Sequence, residues 1–166
     1  MANPLSLFMR VLPGLTLQDV GAKLATLQPE LDGALAKVNT VHYARTLFLD
    51  LSAPNLQPSL TGTGPWVIGV ITAYDGDFNA YIQDFVNNAH EAFDAILSLV
   101  EGGAAVIPVK DNVVPFQKFI AANDASQHAP NNGTPLTPTS GDDPPVPGGL
   151  YQAYPQTVQL IKAAFS

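Results

Sequence analysis

The sequence predicts an α+β domain in which two strand–helix–strand units share one antiparallel sheet and lay both helices on the same face. Three observations carry this. Segments 5–12, "LSLFMRVL", 40–50, "TVHYARTLFLD", and 66–74, "WVIGVITAY", are short apolar, β-branched and aromatic runs suited to strands. Two longer segments repeat apolar residues at steps of three and four, as amphipathic helices do. The elements also come in the order strand, helix, strand, strand, helix, strand. Right-handed crossovers then place both helices on one side of a four-stranded sheet.

Each element has local support. The first strand is closed by Pro13-Gly14. Thr16 with Asp19 forms a capping-box pattern before a helix whose stripe is Leu17, Val20, Leu24, Leu27, Leu31, Leu35 and Val38. Pro29 lies inside it and is expected to kink or split it near Gln28. The second strand is followed by the Pro-, Gly- and Ser-rich loop 52–65, and the third runs from Trp66 to Tyr74. Asp77 is a good N-cap for the second helix, striped by Phe78, Tyr81, Ile82, Phe85, Val86, Ala89, Phe93, Ile96, Leu97 and Val100. Gly102-Gly103 ends that helix. "AAVIPVK", 104–110, is the natural fourth strand, with Pro108 marking an edge or a bend. Residues 114–124 fit a short helix after Pro115 or more strand.

The domain therefore spans 1–128. Residues 129–149 are too rich in Pro, Gly, Asn, Thr and Asp to pack a core, and are expected to form a surface excursion or arm. Residues 150–166 supply a C-terminal helix, with Pro155 at its first turn and Val158, Ile161 and Phe165 on one face, docked on the same domain or on a partner.

Composition narrows the function. Of 166 residues, 46% are hydrophobic and 13% charged, enough apolar material for one core and, in part, for a covered interface. Seven basic residues, spread singly in a chain of net charge −7, speak against nucleic acid, whose phosphates need clustered Lys and Arg, and remove a polybasic membrane anchor. No apolar run approaches the roughly 20 residues of a membrane span. The N-terminus makes a poor signal peptide, so a cytoplasmic location is expected. Without cysteine there are no disulfides and no thiolate chemistry, and three His make a structural zinc unlikely to assemble. HExxH, GxSxG and Gly-rich phosphate-loop motifs do not occur.

This element order is the ferredoxin-like βαββαβ plan. Its helices cover one face of the sheet, and the other face needs a partner if it is apolar. Leu7, Met9 and Val11 are assigned to the helix side. Phe8, Leu12, Phe48, Trp66, Ile68 and Val70 then form an apolar patch on the far side, larger than soluble monomers usually expose. Face-to-face pairing of two sheets hides such a patch and encloses a cavity. The opposite parity for the third strand, with Val67, Gly69, Ile71 and Ala73 on that side, stays open.

Over residues 5–122 the chain resembles the dimeric α+β barrel superfamily, which includes small monooxygenases and dye-decolorising peroxidases. "VHYARTLFLD" followed by "GVITAYDGDFNAYIQDF" looks like the paired central strands and second helix of such domains. "TAYDG" is similar to the peroxidases' GxxDG signature, whose Asp is the distal acid, although Thr72 replaces the first Gly. Those peroxidases take their haem-ligating His from a second domain, which this length does not accommodate. The resemblance implies a homodimer or larger homo-oligomer around an apolar small molecule, with haem as one candidate cofactor.

Three residues are the catalytic candidates. Asp75, beside Gly76, is either part of a turn or an acid/base at a cavity mouth. His42 is either an interface histidine or a haem ligand or general base. Arg10 is either an exposed strand residue or the charge that meets a carboxylate or oxyanion. His42, Phe48, Trp66 and Thr72 are the residues expected to line a cofactor or ligand cavity. Arg45 is read as structural, entering the helix side with Asp50 or Asp94 as partner. Two functions follow: an oxidative or small-molecule-binding protein, or a non-catalytic module whose sheet face and Pro-rich arm mediate oligomerisation.

Overall fold

The computed structural model describes residues 2–128 and 156–164. Its elements are β1 (Ala2–Arg10), α1 (Leu17–Lys37), β2 (Val41–Asp50), β3 (Trp66–Asp75), α2 (Phe78–Leu97), α3 (Val113–Asn123) and α4 (Val158–Ala164). The protein is α+β, with a three-stranded antiparallel sheet in the order β1-β3-β2. The arm expected at 129–149, Pro155 and Phe165 lie outside the described residues.

Helix starts follow the sequence closely. Thr16 and Asp19 form the full reciprocal capping box on α1. Asp77 accepts the Asn79 and Ala80 amides at the start of α2. Helix α1 runs through Pro29 without the expected split. Pro29 and Ala25 are exposed, so the Ala25 carbonyl that loses its donor faces water.

The fourth strand expected over 104–110 does not form. Gly103–Ala105 is a single 3₁₀ turn, and the next residues are held as a turn by the Val109 amide donating to Asp94 Oδ1 at 2.8 Å. The edge of β1 that a fourth strand would occupy is covered by the segment after α3. Asp124 is buried, and its Oδ1 accepts from the Ser6 amide (2.9 Å), the Ser126 amide (2.9 Å) and Ser126 Oγ (2.7 Å). Ser126 Oγ also donates to the Pro4 carbonyl at 2.9 Å. Side-chain and turn hydrogen bonds thus do locally what a ladder would do.

Register decides which residues face the helices. Leu5, Leu7 and Met9 oppose Thr72, Val70 and Ile68, and this row is the buried one. On β2 the same row continues through Thr46 and Phe48, opposite Val70 and Ile68. The expected parity of β1 is observed, whereas Phe48, Trp66, Ile68 and Val70 lie on the helix side, not on the far face. The alternative parity of β3 is the one adopted. On the far face Phe8, Gly69 and Leu47 form one row, and a Cβ at Gly69 would stand 3.1 Å from the Phe8 ring. Arg45 belongs to this far face and is exposed; Asp50 instead accepts from Ser52, and Asp94 from Val109.

The core runs between the buried row and the helices. Tyr74 stacks on Tyr81 with centroids 3.9 Å apart, and edge contacts continue through Phe85, Phe93 and Phe116. This aromatic chain links β3, α2 and α3 across the domain.

Candidate functional site

The sequence-derived candidates separate into three places. Asp75 pairs with Ala2, and Arg10 with Val67, so the acid and the arginine stand at opposite ends of the sheet. At about 3.3 Å per residue they are roughly 25 Å apart. They do not form one catalytic group.

His42 and Asp75 do come together. A β-bulge between Val41 and Tyr43 displaces His42 from the regular ladder, and its Nε2 lies 3.0 Å from Asp75 Oδ1. The other carboxylate oxygen accepts the Val158 amide at 2.8 Å, at the start of α4. Lys162 ties the same helix to the Ala36 carbonyl and to Asn39 Oδ1. Asp75 therefore joins β2, β3 and α4. Both of its oxygens are engaged, which suits a structural clamp better than a proton-transfer group open to substrate. Asp77, not Asp75, is the helix cap.

Phe48 and Trp66 stack with centroids 5.3 Å apart at the other end of the sheet. The loop after β2 closes on them. A Cβ at Gly62 would fall 2.7 Å from the Trp66 ring and 2.5 Å from Asp50 Oδ2, so only Gly fits there. Trp66 also walls a hollow of about 290 Å³ that contains Arg10, Gly64 and Glu101. The four residues expected to hold a flat cofactor are thus dispersed: His42 against Asp75, Phe48 and Trp66 against each other, and Thr72 between them on the helix side. They do not fit haem, whose ring needs one continuous slot beside its axial ligand.

Thr72 leads to a different site. Helix α1 packs on α2 and leaves the helix-facing side of β2 open, where Ala44 and Thr46 are exposed. The result is a cavity of about 80 Å³ between α1, α2 and the sheet. A single water occupies ~10–15 Å³ on this kind of measure, so the space suits a small organic molecule. Leu5, Val70, Phe85 and Ile96 supply apolar wall. Gln28 and Asp32 line the α1 side, where Gln28 Nε2 donates to Asp32 Oδ1 at 2.7 Å.

Thr72 Oγ1 and Tyr81 Oη, 2.8 Å apart, are the buried polar feature of this cavity. Burial pushes the Tyr81 phenol well above its ordinary 10, partly offset by the Thr72 hydrogen bond, so it is neutral at physiological pH. Burial, and then the negative charge of Asp124, raise Tyr74 to about 12.

Tyr81 and the small residues of β2 are what the sequence reading missed. Tyr81 was absorbed into an apolar helix stripe; its one signal was a hydroxyl within that stripe, with Thr72 as the matching hydroxyl on β3. Among the described residues no group of three or more His, Asp or Glu is placed to hold a metal ion, and no helix is long and apolar enough to cross a membrane. Comparison with protein-family models, with curated proteins and with solved structures finds no match to this chain.

Proposed function

We propose that the protein binds a small, largely apolar molecule in the cavity between α1, α2 and the sheet. The observation that carries this reading is the cavity itself: about 80 Å³, apolar-walled, with one buried hydroxyl pair. Ligand sites commonly combine an apolar lining with a few placed polar groups. Among the described residues no nucleophile and base converge there, which favours binding over catalysis. The architecture supports a ferredoxin-like domain whose fourth-strand position is filled by the Asp124–His128 segment.

The test is a titration with toluene followed by amide NMR. Saturable shifts confined to residues around Val70, Thr72 and Phe85, abolished by Ala44→Phe at the cavity's open side, support the reading. Shifts that are non-saturable or scattered over the surface reject it.

A second reading, homodimerisation through the far face of the sheet, is favoured by its apolar row Phe8, Gly69 and Leu47 with Val67 and Ile71 beside it. Sedimentation of the wild type and Leu47→Glu distinguishes a dimer that the charge disrupts from a monomer that ignores it.

A further inference from the structure

We infer that the cavity selects uncharged ligands that carry a hydrogen-bond acceptor, and that the Thr72–Tyr81 pair is the specificity element. This rests on the cavity being the binding site.

Each of the two hydroxyls has one proton. The contact between Thr72 Oγ1 and Tyr81 Oη consumes one of them, whichever is the donor. Neither side chain makes a further hydrogen bond among the described residues. One O–H is therefore left without an acceptor at a site where both residues are only 2% exposed and both line the cavity. Buried donors are normally satisfied, and a ligand acceptor meets that demand.

Charge narrows the class. Among the described residues Asp32 is the one charged residue in the lining, and no Lys, Arg or His contributes to it. A carboxylate ligand would lose its hydration without gaining a cation, and would face Asp32 as well. A cationic ligand would lose its hydration against a mainly apolar wall, with Asp32, exposed on the α1 side and already bonded to Gln28, as its counter-charge. An aromatic or alicyclic ketone, ether or alcohol fits: its apolar body meets Leu5, Val70 and Phe85, and its oxygen accepts from the hydroxyl pair.

The experiment titrates the full chain with acetophenone, ethylbenzene and benzoate, three probes of similar size, followed by amide NMR. The wild type is compared with the double variant Thr72→Val/Tyr81→Phe. Replacing both partners by apolar groups of like shape removes the pair without orphaning either member. The expected result is that acetophenone weakens about 2- to 12-fold in the double variant, the worth of one net hydrogen bond. Ethylbenzene keeps its affinity, and benzoate binds neither protein saturably. Equal changes for acetophenone and ethylbenzene, or benzoate as the tightest ligand, overturn the inference while leaving the cavity as a binding site. Failure of all three to bind the wild type overturns the cavity reading and the inference with it.

Discussion

Asp75→Ala separates a structural clamp from a catalytic acid. The substitution removes the acceptor for His42 Nε2 at 3.0 Å and for the Val158 amide at 2.8 Å. The carboxylate is 13% exposed and His42 17%, so water compensates only in part. A hydrogen bond to a charged group contributes about 1.5–3 kcal/mol. The Val158 bond alone thus predicts a loss of about that size in the docking of α4. Helix α4 keeps the buried Val158 side chain and the Lys162 contacts, so it is loosened and not cut free. Hydrogen exchange read by mass spectrometry over residues 156–164 is the assay. A loss of ~1.5–3 kcal/mol corresponds to roughly 10- to 150-fold faster exchange there. Asp75→Asn keeps an acceptor for Val158 and should fall between. Unchanged exchange over α4 in Asp75→Ala would refute the clamp, leaving the helix held by Val158 and Lys162 alone.

The other outcomes are more quickly stated. Asp124→Ala orphans the Ser6 and Ser126 amides on the edge of β1, and should cost about 2–4 kcal/mol in urea unfolding; Asp124→Asn should recover part of it. Gly62→Ala drives a methyl into Trp66 and Asp50, and a melting temperature several degrees lower is expected from a loss of about 1–3 kcal/mol. At alkaline pH the folded protein holds the Tyr74 proton up to about 12, whereas the unfolded chain releases it near 10. The unfolded state then binds fewer protons, so stability falls as pH rises from about 10 to 12. Tyr74→Phe should flatten that part of the stability profile. Haemin added to the protein should give no stoichiometric Soret shift, and His42→Ala should not change the spectrum, because the expected haem-lining residues do not converge.

Much of the fold was legible because it is written in local patterns. Thr16 with Asp19 and Asp77 before its helix are signals that need no tertiary knowledge, whereas the second helix stops at Leu97, short of the Gly102-Gly103 stop. The parity of β3 was not legible, since "WVIGVITAY" carries apolar residues on both of its faces. Its orientation comes from cross-strand fit, in which Gly69 makes room for Phe8. The reversed facings of β3 and of β2 put Trp66 and Phe48 on the helix side and Arg45 on the far one, and the supposed cavity goes with them. Residues 104–110 had strand composition, but Asp94 captures the Val109 amide, a contact that spacing along the chain does not announce. For the same reason Asp124, an unremarkable acid after a helix, was not seen as the group that finishes β1. The candidate site fared unevenly: the His42–Asp75 proximity arises from the bulge at Val41/Tyr43, whereas the separation of Arg10 follows from strand length alone.

The blocked flank of β1 makes the sheet asymmetric. Ser6 and Pro4 have their main-chain groups bonded to Asp124 and Ser126, whereas among the described residues β2 pairs only with β3 and leaves its outer rim open. A sheet with two open rims can recruit strands from both sides and grow into a fibre. With a single rim, recruitment ends after one event: two copies that join rim to rim have nothing left to offer a third. The turn that displaced the expected strand therefore doubles as a chain terminator on the β1 flank, where Asp124 and Ser126 already hold the main-chain groups of Ser6 and Pro4.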